Sequence, residues 1–166
     1  MSRGALMDHM AFGDTPLSRV NYYRRVCDLP AVIDPPSMGR IIMRATHVWG
    51  IVMPAPLGAA VRNLMRQQHS NVGPFMSHPR SKRWTILTRP DLPDEVPLFA
   101  ELFRLNVSIV RTGGTIALPS PDHRSAHVRL WVEAPSCPFR PSGRVVVDAI
   151  RACAGPGRPP RAAAHV

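Results

Sequence analysis

The stretch from Val72 to Pro121 constrains this chain most, because turn residues cut it into pieces whose conformations can be read one at a time. Gly73-Pro74 stops any preceding helix, since proline lacks an amide donor and disfavours helix in the residue before it. Phe75 to Ser77 is extended, His78-Pro79-Arg80-Ser81 is a turn, and Arg83 to Thr88 is the clearest strand. Asp94 is the candidate N-cap of a helix, and Glu95 complements the dipole behind it. Pro97 falls in the first turn, where its missing N–H costs nothing. Leu98, Phe99, Leu102 and Phe103 then form one apolar stripe. Val107 to Arg111 and Thr115 to Leu118 flank Gly113-Gly114, a two-residue turn of the kind that joins a hairpin.

The flanks extend the pattern. Arg40 to Thr46 and His47 to Met53 are β-rich, and Pro56 fits a first helical turn. Leu57, Val61, Leu64 and Gln68 follow at helical spacing, with Arg62 and Arg66 on the other face. Val128, Leu130 and Val132 alternate as a strand. Ser142 caps a last helix whose face is Val145, Val146, Ala149, Ile150 and Cys153, closed by Gly155. From His47 the order is β-α-β-β-α-β, then further strands and a helix. That predicts an α+β fold with a ferredoxin-like, RNA-recognition-like antiparallel sheet and its helices on one face. Residues 39–154 form this single domain. Residues 1–38 lack sustained periodicity and end in Asp34-Pro35-Pro36, so they are expected to be poorly ordered or loosely docked, with a short helix over Val20 to Val26. Residues 155–166 are expected to be a disordered basic tail.

A chain of 166 residues is long enough for one core without metal or disulfide staples. Its three cysteines are odd in number and form no CxxC pair, which fits a reducing cytoplasm better than a disulfide framework. No apolar signal segment opens the sequence, and the longest uncharged run, Ala45 to Val61, is broken by Pro54, Pro56 and Gly58. A soluble, cytoplasmic protein that does not enter a membrane is expected.

Charge is the strongest functional lead. The formal net charge is +10, and Lys82 is the only lysine. No Asp or Glu occurs between Asp34 and Asp91, an interval that carries Arg40, Arg44, Arg62, Arg66, Arg80, Lys82, Arg83 and Arg89. Such a stretch attracts phosphates, which arginine holds bidentately, but cannot chelate a catalytic divalent metal with carboxylates. An Arg-rich, Lys-poor composition is equally what a GC-rich genome produces.

Three constellations bear on binding. In an RNA-recognition-like sheet the two central strands display aromatics on which bases stack. Trp49 in HVWGIV and Trp84 in KRWTIL occupy those strands, although large aromatics are mostly buried and core is the preferred reading of both rings. Arg80, Lys82 and Arg83 form a phosphate patch or a solvated turn, with Arg62 and Arg66 as further candidates. Arg111-Thr112-Gly113-Gly114-Thr115 can cradle a phosphate or simply turn the chain. Metal and nucleophile patterns are missing: His123 and His127 stand alone, and no G-x-S-x-G elbow occurs. No catalytic residue, metal ligand or cofactor is assigned, and enzymatic activity is left open, with the balance against it.

Several of these segments occur together in a pattern that resembles a known group. They are Gly73-Pro74, Arg83-Trp84 with its apolar strand, Gly113-Gly114 before Ile116-Ala117-Leu118-Pro119, and Val128-Arg129-Leu130-Trp131 running to Pro135. The pattern resembles short proteins of high-GC Gram-positive bacteria similar to the N-terminal domain of bifunctional DNA primase/polymerases, some relatives of which carry the label DNA-directed RNA polymerase subunit beta. The resemblance implies a catalytic core built around an RNA-recognition-like sheet. It also implies an Asp-x-Asp/Glu pair, a small-residue-x-His motif and a third carboxylate. Here no strand carries such a pair, and Thr115-Ile116-Ala117 has Ala where the histidine is required. Two-metal phosphoryl transfer without those carboxylates has nothing to neutralise its developing charge. The expected function is therefore a non-catalytic primase/polymerase-like domain that binds single-stranded DNA, RNA or nucleotide through an Arg-rich face. The alternative is an adaptor that docks an acidic protein partner.

Overall fold

The computed structural model describes residues 15–121 and 129–155. Among the described residues, four helices and two antiparallel sheets make up this α+β fold. A helix α1 (Pro16–Arg25) leads into strand β1 (Ala31–Ile33), a single 3-10 turn (Pro36–Met38) and strand β2 (Ile41–Arg44). Strand β3 (Trp49–Pro54), helix α2 (Ala55–Gln68), strands β4 (Phe75–His78) and β5 (Arg83–Thr88), helix α3 (Val96–Arg104) and strand β6 (Ser108–Val110) follow. Strands β7 (Thr115–Leu118) and β8 (Leu130–Glu133) and helix α4 (Gly143–Ala154) complete the order.

The larger sheet has the order β6-β3-β5-β4-β8. Its first four strands are the split-βαβ arrangement expected from the segment order: β3 and β5 pair centrally, with β6 and β4 outside them. Strand β8 adds to the free edge of β4, with a register shift between Phe75 and Met76. Alternation along the strands divides two cores. Ile51, Met53, Phe75 and Ile86 face α2, α3 and α4, where Val61, Met65, Leu98, Leu102, Val146 and Ile150 meet them. Met76 and Leu87 face the opposite way and join a second core.

That second core belongs to the smaller sheet, of order β1-β2-β7, together with α1. It corrects the expectation of a loosely docked N-terminal segment over residues 15–38. Tyr23, Cys27, Leu29 and Ala31 are fully or almost fully buried, and the Tyr23 hydroxyl donates to the Pro119 carbonyl at 2.6 Å while accepting from Trp131 Nε1 at 2.9 Å. Short pieces of one to three turns carry too few repeats for periodicity to reveal them. Residues 1–14 and the expected tail from residue 156 onward lie outside the described residues, as does Val128.

Two further expectations change. Gly113-Gly114 does not close a hairpin: β6 pairs with β3 in the larger sheet, and β7 pairs with β2 in the smaller one. The Gly pair instead carries the chain between sheets, with Gly113 at φ +94° and Ala45 exchanging backbone hydrogen bonds with Gly113 and Gly114. At α3 the N-cap is Glu95, without a side-chain cap bond, because Asp94 is drawn away to Arg111 at 2.8 Å. Leu98 and Leu102 of the expected stripe are buried, whereas Phe103 is 83% exposed. The Ser142 cap and the Gly155 terminus of α4 are as the sequence predicts. Among the described residues no helix is long and apolar enough to cross a membrane.

Candidate anion-binding cleft between the sheets

The face of the larger sheet turned away from its helices is where an RNA-recognition-like domain displays stacking aromatics. On the two central strands that face carries Gly50, Val52, Thr85 and Leu87, because Val52 pairs directly with Thr85 and Gly50 with Leu87. Trp84 has the other parity. It packs in the helix layer beneath Gly58 of α2, edge-on to Phe75 at 6.5 Å between ring centroids. Trp49, also of that parity, lies at the margin of both cores and donates from Nε1 to Thr112 Oγ1 at 3.1 Å. The base-stacking platform expected from Trp49 and Trp84 is thus not formed by these two rings, and a one-residue difference in strand parity is the reason.

The smaller sheet covers part of the same face. At Gly50 the two sheets come close: an ideal Cβ there would stand 3.0 Å from Ile116 Cδ1 of the smaller sheet and 3.1 Å from Thr85 Cγ2 of its own. A larger residue there would require Ile116 and Thr85 to give way. Towards Val52 and His78 the sheets leave a cleft of about 260 Å³. The larger sheet contributes Val52, His78, Thr85 and Val110, and the smaller sheet contributes Ile42, Thr115, Ile116 and Ala117. Arg40, immediately before β2, and Arg129, immediately before β8, complete its wall. No carboxylate lines it among the described residues.

The electrostatics follow from this geometry. Neither Arg40 nor Arg129 forms an ion pair among the described residues. Partial burial and the like charge of Arg40 hold the Arg129 guanidinium below its usual range, yet an arginine there stays charged at neutral pH. His78 hydrogen-bonds through Nε2 to Thr85 Oγ1 at 2.7 Å. Burial, then the positive charges of Arg129 and Arg83, push its pKa down to about 4, so at neutral pH it is an uncharged donor or acceptor. Two charged guanidiniums, a neutral imidazole and the Thr85 and Thr115 hydroxyls thus surround a space with positive potential and no internal counter-charge. Such a lining is electrostatically suited to an anion of phosphate or carboxylate type, with both arginines open to solvent.

The other candidates are distributed differently. Arg62 and Arg66 of α2 both clasp Glu133 of β8, with Nη2 and Nη1 respectively at 2.6 and 2.9 Å from Oε1. Arg83 donates to the carbonyls of Val52 and Asn106 and so ties β5 to β3 and to the turn that precedes β6. These three arginines are structural clamps first. Arg80 and Lys82 are exposed in the turn between β4 and β5, whose first strand ends at the cleft residue His78. The phosphate cradle weighed for residues 111–115 is occupied internally: Gly113 and Gly114 spend their N–H groups on Ala45 and Arg111 carbonyls, and Arg111 pairs with Asp94 and lies 4.5 Å over the Phe99 ring.

Several carboxylates are also engaged in structure. Asp91 caps α4 from outside the helix, accepting from Ser142 Oγ at 2.5 Å and from the Gly143 amide at 2.7 Å. Glu101 holds Arg151 through both oxygens at 2.7 and 2.8 Å. No group of three His, Cys, Asp or Glu side chains is placed to hold a metal ion among the described residues. His123 and His127 lie outside them.

As one site Arg40, Arg129, His78 and Thr115 escape sequence reasoning because they come from four separate segments, and Thr115 is singled out there only within the 111–115 cradle. The absence of acids between Asp34 and Asp91 was the available signal for Arg40 and His78, and nothing local marks Arg129. Compared with known protein families, with curated proteins and with solved structures, the chain matches none.

Proposed function

We propose that this chain is a primase/polymerase-like binding domain of the cytoplasm, without polymerase chemistry, that takes a phosphate-bearing ligand in the cleft between its sheets. The observation that carries this reading is the convergence of Arg40 and Arg129 on one cleft that no carboxylate enters among the described residues. Other arginines, Arg62, Arg66, Arg111, Arg140 and Arg151, are consumed by acids. Both guanidiniums are exposed and without an ion pair among the described residues, so an anion from solvent can reach them. The cleft lies just under the lower end of the range for small-molecule pockets, roughly 300 Å³, so it suits one phosphate and the adjoining sugar better than a whole nucleotide. Arg80 and Lys82, on the turn that leaves the cleft at His78, are placed to meet the next phosphates of a strand. That favours single-stranded DNA or RNA over a free mononucleotide.

Fluorescence anisotropy with short labelled single-stranded DNA and RNA tests it. Saturable binding that weakens steeply between about 50 and 200 mM salt supports the reading, since each phosphate contact releases counterions. No binding at the lower salt removes it and leaves the charge to composition.

A further inference from the structure

Helix α3 has two apolar faces, and only one of them is buried. Leu98 and Leu102 turn into the core, and Glu101 reaches across to Arg151 of α4. The face pointing the other way carries Val96, Phe99, Ala100 and Phe103, which together form an apolar arc of roughly 100°. An arc of that width is what a helix ordinarily packs against its protein. Here Val96 is 80% exposed and Phe103 83%, with Phe99 and Ala100 half-buried. Arg111, just past β6, lies over the Phe99 ring, and β6 is the end strand of the larger sheet. The arc therefore stands on the flank of the molecule.

Its two ends carry opposite charge. Glu95 precedes it and Arg104 closes it; both are exposed, and neither forms an ion pair among the described residues. They lie about 13 Å apart along the helix axis, too far to meet within one chain.

We propose that this face docks a second copy of the same chain, the two α3 helices running antiparallel about a two-fold axis between Phe99 and Ala100. The order of the residues argues for that occupant, because it is self-complementary about the axis. Val96 meets Phe103 of the partner subunit, Phe99 meets the partner's Ala100, and Glu95 meets the partner's Arg104. Each contact occurs twice, as an isologous interface requires. Every phenylalanine faces a smaller residue, so the side chains interdigitate, and the antiparallel helices set opposite dipole ends side by side. A uniformly acidic or uniformly basic partner would match one end of the arc and oppose the other. One face of a short helix falls below the roughly 1,200 Å² of a stable interface, so the pair is transient and forms at high protein concentration. Repulsion between two chains of net charge +10 is largely screened above about 0.1 M salt.

Sedimentation velocity of the full chain in about 0.15 M salt, at concentrations from about 10 µM to 1 mM, tests this. A monomer–dimer equilibrium is expected, with its dissociation constant inside that range. F103E, at a solvent-exposed position, is expected to abolish the dimer. E95R and R104E are each expected to weaken it at least about fivefold, since either one replaces two ion pairs with two like-charge contacts. E95R/R104E exchanges the two ends and is expected to restore the original constant, a recovery that neither lost folding nor a general charge effect would give. A single monomeric species across the range overturns the proposal. So does a dimer that F103E leaves intact, or a pair of single reversals that the exchange fails to rescue.

Discussion

Arg40 and Arg129 face one cleft from opposite sheets, the first entering β2 and the second entering β8, and no acid stands between them among the described residues. Their charges act on each other: Arg129 is held below its usual range by its partial burial and then by Arg40. The consequences of that arrangement reach the residues around it and can be measured.

His78 reports on the cleft. Its folded pKa of about 4 lies below the usual value of 6.5, so the unfolded chain binds the extra proton between those pH values. The neutral histidine therefore contributes stability that is fully present above pH 6.5 and is lost as pH falls towards 4. The contribution is at most about 3 kcal/mol. Denaturant melts from pH 7.5 to 4 are expected to show this slope in the original chain and a smaller one in H78Q. An anion bound beside Arg129 offsets the positive field, so phosphate or oligonucleotide is expected to raise the His78 titration midpoint measured by NMR.

Gly58 and Trp84 make a tight crossing of helix on sheet. A Cβ at Gly58 would stand 2.9 Å from both Cβ and Cε3 of Trp84, and the Cβ of a strand residue cannot swing aside. Gly58→Ala gains about 1 kcal/mol of helix propensity but incurs overpacking of roughly 1–3 kcal/mol. Net destabilisation with a shifted Trp84 emission is expected in chemical melts; a more stable G58A protein would show that the helix rises freely.

Tyr23 fastens α1 to the body of the protein. Its hydroxyl, fully buried, serves both the Pro119 carbonyl and Trp131 Nε1. Tyr23→Phe leaves both without that partner, at about 1–3 kcal/mol for each buried group left unsatisfied. A fall of this order in unfolding free energy, with hydrogen exchange rising in both α1 and β8, is the expected result. Exchange rising in α1 alone would mean the Trp131 bond carries little.

Glu133 draws Arg62 and Arg66 together at the β8 edge. Glu133→Gln removes their shared counter-charge where Arg62 and Glu133 are each about one-quarter exposed. A loss of about 1–2 kcal/mol is expected, allowing for solvent screening. The freed guanidiniums would also add a salt-sensitive increment to oligonucleotide affinity.

The segment order was enough to give the larger sheet, since Arg83 to Thr88 and the helix at Leu57 to Gln68 are periodic enough to be unambiguous and the split-βαβ order follows from them. The smaller sheet was not legible. Its β1 is three residues long, its partner β7 is 70 residues or more downstream of β2, and local pattern carries no information about such pairings. The same non-locality hid the cleft. Trp49 and Trp84 stood out by residue type, but strand parity put Trp84 in the helix layer and Trp49 at the margin of both cores, while Arg129 reached the cleft from the segment just before β8.

The most direct measurement compares two variants of equal charge. R40Q/R129Q and R80Q/K82Q each remove two positive charges, so any non-specific attraction falls equally in both. Affinity for a short single-stranded oligonucleotide, measured at fixed salt, is expected to drop at least about tenfold in R40Q/R129Q and distinctly less in R80Q/K82Q, each good phosphate contact being worth roughly 1 kcal/mol or more. Equal losses in the two variants would contradict the account, because the attraction would then belong to the whole surface and not to the cleft.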